Sequence, residues 1–176
     1  IPSGLVELKK GWCFYENNYE NNFILKKSSI EQENFDVVVF CVKNAKKASI
    51  PFYIKIIDSC AFQECKNIQF IDFQPNSQLQ TIEYYAFSES SIESINIPSH
   101  CTSIGLNCFY LCKKLRKVVI PTNSELKSID ENAFSNTVLT SFSFPINLTY
   151  IGDFCFANCF KLQLIENMFN PKDSCN

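Results

Sequence analysis

The stretch from Pro98 to Pro121 reads PSHCTSIGLNCFYLCKKLRKVVIP, and its order of small, aromatic and aliphatic residues returns along most of the chain. Phe109 is the anchor of this stretch, and Phe62, Phe87, Phe134 and Phe156 stand in the same setting. The five anchors are 25, 22, 25 and 22 residues apart, so the pattern has a double period of 47. A small residue precedes each anchor: Ala61, Ala86, Cys108, Ala133 and Cys155. Five positions before each anchor stands Ile57, Ile82, Ile104, Ile129 or Ile151, and three before that Ile54, Leu79, Cys101, Leu126 or Leu148. This many columns held in register establish an internal repeat.

Each column has a physical reading. After the anchor come Ile68, Ile92, Leu115, Leu139 or Leu162, then the alternating pairs Ile71 and Phe73, Ile95 and Ile97, Val118 and Ile120, Phe142 and Phe144. Period-two alternation predicts a short strand with one buried face. Pro75, Pro98, Pro121 and Pro145 close these strands, because proline has no amide for a continuing ladder. Ala61, Phe62, Cys65 and Ile68 fall at helical spacing, which predicts about two helical turns. Asp58, Glu83 and Asp130 suit the start of such a helix. A strand, a turn and a short helix in under about thirty residues make one coil of a solenoid, whose core exists only when coils stack. Here the stacked residues are Phe, of which the chain has 17. The fifth copy keeps Ile165 and decays at Asn167 and Met168.

The Pro98–Pro121 stretch resembles the BspA-like leucine-rich repeat, whose pattern runs Ile-Gly-x-x-Ala/Cys-Phe-x-x-Cys-x-x-Leu-x-x-Ile-x-Ile-Pro. Pro145 to Leu162 matches again through Ile151-Gly152, Cys155-Phe156 and Cys159. The resemblance covers roughly residues 50 to 166. It implies an α/β leucine-rich-repeat solenoid, with short parallel strands on the concave face and short helices or turns on the convex side. It further implies a cell-surface or secreted protein engaged in adhesion or host interaction, and carries over no catalytic residue. The longer copies, opening PNSQLQTI and PTNSELKSI, are similar to variants in surface proteins of mucosal parasitic protists.

Residues 1–49 depart from the pattern and are expected to form an irregular N-terminal cap, with the array over 50–176. Ile1-Pro2, Leu8 and Cys13-Phe14 read as a degraded copy, and Phe35 to Val42 as a strand. The chain begins without an initiator Met or a basic-then-apolar leader, and so reads as a processed or excised piece.

Composition narrows the function classes. The chain is 46% hydrophobic and 19% charged, which is globular. Its net charge of −2 and its short basic clusters argue against nucleic acid, and no apolar run is long enough for membrane insertion. The ten Cys are the loudest feature. Cys101, Cys108, Cys155, Cys65, Cys112 and Cys159 occupy columns of small or apolar residues and are expected to be buried thiols. Same-column cysteines are two coils apart, about 9–10 Å, beyond the reach of a disulfide. Cys13, Cys41, Cys60 and Cys175 are less constrained, and a bridge among them stays open.

Cys108 with Cys112, and Cys155 with Cys159, share a four-residue spacing, but a zinc site needs four convergent ligands and the chain has one His. That residue, His100, adjoins the core-facing Cys101 and reads as a solvent-facing turn residue, not a catalytic base. No metal, cofactor or enzymatic activity is expected. Asn147-Leu148-Thr149 is a glycosylation sequon, and Asn147 aligns with His100 in the turn after Pro145.

If the strands line the concave face, two stripes of side chains are presented there. One is Phe70, Ser94, Lys117, Ser141 and Leu164; the other is Asp72, Asn96, Val119, Ser143 and Glu166. Their mixture of apolar, hydroxyl and charged groups suits a protein ligand, with a host or extracellular-matrix protein as the expected partner. Self-association of the repeat is the competing expectation.

Overall fold

A computed structural model describes residues 5–9, 12–17, 21–29, 31, 33 and 35–167, and side chains within the span from Phe23 to Glu166. It is a β-solenoid of about six turns. One wall is a nine-stranded sheet that starts with β1 (Leu5–Lys9), β2 (Trp12–Asn17) and β3 (Asn21–Lys26). These three run antiparallel, so Leu8 and Cys13-Phe14 lie in a meander and not in a degraded coil. β3 pairs with β4 (Val37–Cys41), the strand expected over residues 35–42. From β4 on, the wall is parallel and carries one short strand per coil: β6 (Ile56–Ile57), β8 (Thr81–Ile82), β10 (Ser103–Ile104), β12 (Ser128–Ile129) and β14 (Tyr150–Ile151). The Ile column of the repeat is thus a ladder, with Ile57, Ile82, Ile104 and Ile129 in register.

The second wall holds the strands predicted from alternation. β5 (Lys47–Ile50), β7 (Phe70–Phe73), β9 (Ser94–Asn96) and β11 (Lys117–Val119) form a four-stranded parallel sheet, and β13 (Ser141–Phe144) pairs with β15 (Leu164–Asn167). The strand of the fifth copy therefore persists through Asn167, while Met168 lies outside the described residues.

Between the walls the expected helices do not form. Among the described residues there is no helix; the segments around the anchors are successive tight turns. The reason is visible in the backbone. In each of the five Phe-anchored coils the residues two before and two after the anchor adopt positive φ: Cys60 and Glu64, Tyr85 and Glu89, Asn107 and Leu111, Asn132 and Asn136, Phe154 and Asn158. A left-handed residue every four positions breaks a right-handed helix. It also turns amides along the solenoid axis. Phe62 N–H donates to Ala86 O at 2.7 Å, Phe87 to Cys108 at 2.9 Å, Phe109 to Ala133 at 2.7 Å and Phe134 to Cys155 at 2.9 Å. The left-handed residues behave alike: Cys60 donates to Tyr84 O at 3.1 Å and Glu64 to Ser88 O at 2.8 Å. A helix would satisfy these donors within one coil; here they tie each coil to the next. Asp58, expected at a helix start, instead accepts the Ser59 amide at 2.9 Å and pairs with Lys26 of the cap.

The core is the shared interior of the coils. Phe62, Phe87, Phe109 and Phe134 are fully buried, and their rings stack with centroids 4.9, 5.2 and 5.1 Å apart. Phe156 continues the spine at 5.5 Å. Gly105 and Gly152 follow the Ile column where two coils come closest. A Cβ on Gly105 would lie 2.8 Å from Glu83 C, and one on Gly152 would lie 2.2 Å from Glu131 N. The first coil is tied to the cap by buried Asp36, which takes the Ser28 amide and hydroxyl, both at 2.7 Å, and faces Lys55 at 3.7 Å.

Candidate ligand-binding face

The second wall presents the two expected stripes. Alternation sends Ala48, Ile71, Ile95, Val118 and Phe142 inward, so their neighbours in the strand face solvent. Register places Lys47 beside Phe70, Phe70 beside Ser94, and Ser94 beside Lys117. In the neighbouring stripe Ser49 pairs with Asp72 and Asn96 with Val119. Ser141 pairs with Leu164, and Ser143 with Glu166, in the separate two-stranded sheet. The ten residues thus fall into two groups, one on each sheet, with no ladder between β11 and β13.

Exposure sorts these side chains. Phe70 and Leu164 are each 50% exposed and Val119 is 37% exposed. Asp72, Asn96, Lys117, Ser141 and Glu166 are also open to solvent, whereas Ser94 and Ser143 are half-buried. Ser143 Oγ donates to Glu166 Oε2 at 3.2 Å, which fixes that pair. Phe70 has Lys47 on one side and Ser94 on the other, and Asp72 two residues along its strand. An aromatic ring beside both charge signs, on a hydrogen-bonded ladder, is a rigid anchor with polar surroundings.

Two parts of this face lay beyond the sequence reading. Lys47 and Ser49 extend both stripes by one strand. Their signal was present, because Lys47-Ala48-Ser49-Ile50-Pro51 repeats the alternation-then-proline pattern. The other part is a shallow groove of about 450 Å³ against Asn96, lined also by Phe73, Gln74, Pro98, His100 and Asn123. It lies where the turns after Pro75, Pro98 and Pro121 stack.

The remaining chemical candidates take structural positions. Cys65, Cys101, Cys108, Cys112 and Cys155 are buried, as their columns predicted, whereas Cys159, in the last described coil, is half-buried. Cys101 gives its thiol to Ser103 O at 3.4 Å, and burial pushes its pKa up to about 12. Cys112 donates to Phe87 O at 3.0 Å, and burial likewise raises it to about 12. Burial also raises Cys155 to about 12 and Cys108 well above the ordinary thiol range. Such thiols stay protonated and are poor nucleophiles. His100 is an exposed turn residue whose Nδ1 lies 2.9 Å from Glu125 Oε1, while Cys101 beside it points into the core. Asn147 is exposed, but its Nδ2 donates to Ser124 O at 2.7 Å, so the sequon nitrogen is held against the preceding coil. The side chains of Cys13 and Cys175 lie outside those described. No group of three or more metal-ligating side chains converges among the described residues.

Comparison with known proteins agrees with this geometry. The family model for the BspA type leucine rich repeat region matches residues 33–163 in six copies. The chain belongs to the BspA-type leucine-rich repeat family. Its match begins ahead of residue 50 and takes in β4 and β5, the strands that open the two parallel walls.

Similar solved structures share this fold. The pneumococcal vaccine antigen PcpA is 28% identical, with a TM-score of 0.63 over 78% of this chain and 32% of that one. A leucine rich cell surface protein of Faecalibacterium prausnitzii is 21% identical, with a TM-score of 0.56 over 93% and 54%. A leucine-rich repeat protein of Bacteroides ovatus is 18% identical, with a TM-score of 0.58 over 91% and 52%. The chain spans about a third of the PcpA structure and about half of the other two. A search of the curated proteins found no match. BspA-type repeats make up a surface-protein family compatible with binding or adhesion. No helix of the described residues is long and apolar enough to cross a membrane.

Proposed function

We propose that this BspA-type array is a non-catalytic recognition module of a cell-surface or secreted protein, and that it binds a host or matrix protein through the outward face of its second wall. The observation that carries this reading is Phe70, half exposed on a rigid ladder between Lys47 and Ser94. Asp72, Asn96, Lys117 and Val119 continue the surface on the same sheet; Ser141, Ser143, Leu164 and Glu166 form a second patch on the neighbouring one. The description of the Faecalibacterium protein as a cell surface protein supports the location. The cap lies within residues 1–49, where antiparallel β1–β3 occupy the edge of the nine-stranded sheet beside β4. Asn147 is a glycosylation position only where the bond to Ser124 opens.

The test is capture from extracellular-matrix preparations by the immobilised chain, followed by the same capture with Phe70→Ala. Loss of about tenfold or more in affinity, with an unchanged melting curve, is the expected result for a hot-spot aromatic. Unchanged affinity would remove the second wall as the binding face. A competing reading is self-association, favoured by the exposed Ile146, Tyr150, Ile151, Phe154 and Phe160 of the last coil. Sedimentation velocity separates the two: a monomer at high concentration leaves the recognition reading standing.

A further inference from the structure

The column that holds Cys65, Cys112 and Cys159 has a fixed neighbour. In each case the thiol points back at the anchor carbonyl of the preceding coil: Cys112 to Phe87 O at 3.0 Å, Cys159 to Phe134 O at 3.1 Å and Cys65 to Cys41 O at 3.9 Å. Cys41 therefore stands in the anchor column, which its amide confirms by donating to Ala61 O at 2.8 Å as the Phe anchors do to their next coils. For Cys112 and Cys159 the residue three beyond that anchor supplies a hydroxyl, Ser90 at 3.4 Å and Thr137 at 3.2 Å. The first coil differs twice. Its anchor is Cys in place of Phe, and the residue three beyond it, Asn44, is exposed. At this junction the column thiol lies over the backbone of a second cysteine. Cys41 and Cys65 are both fully buried, with the Cys65 thiol 3.9 Å from the Cys41 carbonyl oxygen and the Cys41 thiol 3.7 Å from Val42 O. Interaction between the two thiols raises Cys41 and lowers Cys65, and the nearby Lys43 ammonium lowers Cys65 further. Among the described residues no other two thiols stand in this relation.

We propose that Cys41 and Cys65 form a cross-coil disulfide that staples the first coil to the second when the chain folds in the presence of a low-molecular-weight disulfide. Glutathione disulfide serves as the oxidant. The Cys65 thiolate attacks one of its sulfurs, and one glutathione thiolate leaves and takes up a proton. Cys41 then gives its proton to solvent and attacks the Cys65 sulfur of the mixed disulfide, which releases the second glutathione. Two protein thiols are oxidised and one small disulfide is reduced to two thiols. Both groups are closed off in the folded chain, so the exchange takes place before the first two coils dock or while they open. The staple is independent of which partner the second wall binds.

The experiment is refolding of the full chain in a glutathione disulfide–glutathione buffer, alkylation in denaturant and peptide mapping without reduction. The expected result is one linked peptide pair containing Cys41 and Cys65, lost on reduction, with a Tm roughly 5–10 °C above that of the reduced chain. Cys41→Ser and Cys65→Ser abolish both the linked pair and the Tm gain, whereas Cys112→Ser keeps both. Alkylated Cys41 and Cys65 in the oxidised wild type, or either one linked elsewhere, would overturn the proposal. The wild-type map decides even where a variant does not fold.

Discussion

The middle of the array and its last coil are written in the same columns, yet they are physically different places. Ile104 and Phe109 are fully buried, whereas the column-mate Ile151 is 44% exposed and Phe156 is half-buried. Nothing in the residues themselves distinguishes them. Among the described residues the middle coil has a neighbour on each side, and the last has one. In a solenoid a column fixes which way a side chain points, while burial comes from the next coil. The exposed Phe154 and Phe160 belong to this end effect as much as to any partner surface.

The strongest test of that contrast is the Phe spine. Phe109→Ala removes a ring stacked on both faces and is expected to cost about 3–5 kcal/mol. Phe156→Ala, stacked on Phe134 alone within the spine, is expected to cost roughly half of that. Urea denaturation measures both, and equal costs would break the distinction. Next comes the close approach of coils at Gly105. Its added Cβ meets backbone, which cannot rotate away, so Gly105→Ala is expected to cost about 1–3 kcal/mol by overpacking. A melting curve like that of the wild type would show that the coils can part there.

The thiols give a pH-dependent version of the comparison. Cys112 is raised by burial to about 12, above its unfolded value of about 8.5. Its contribution is fully present below that unfolded value and is lost as pH rises toward 12. Stability should therefore fall by about 1.4 kcal/mol per pH unit for this thiol between roughly pH 9 and 11. Cys112→Ala should flatten the slope by that amount, read from urea midpoints across the range. The smallest effect is expected at the open end. Ile151→Ala should change stability by under about 1 kcal/mol, against about 2–5 kcal/mol for Ile104→Ala.

Much of this architecture was legible because each column was written several times. The strands of the second wall could be read from Ile95-Asn96-Ile97-Pro98 and its copies, and the spine from five Phe at fixed intervals. The helix was misread for a definite reason. Ala61, Phe62, Cys65 and Ile68 carry an i, i+3 spacing that consecutive tight turns share, and spacing alone cannot separate the two. Asn107, Asn132, Asn136 and Asn158 were a usable hint, since Asn tolerates positive φ better than most residues. Tyr85, Leu111 and Phe154 at equivalent positions gave no such warning. The positions of Phe70 and Lys117 could be read from alternation, but the company they keep could not. Register between coils depends on coil length, so the groove at His100 emerged only in three dimensions, whereas Lys47 and Ser49 stand in a copy of the alternation-then-proline pattern.

The turn segments around the anchors have a polarity with a consequence for assembly. Along that side the anchor amides of Cys41, Phe62, Phe87, Phe109 and Phe134 donate forward, toward the next coil. In the last coil the amides of Phe154, Phe156 and Asn158 occupy the same positions, with no acceptor among the described residues. The last described coil thus presents, on this side, a row of N–H groups. Two such faces brought together would set donor against donor. A surface offering a row of carbonyls, as the leading edge of a coil does, complements it. Stacking onto this face is therefore directional, like a plug that accepts one orientation of socket, whether the coil that follows comes from this chain or from another molecule.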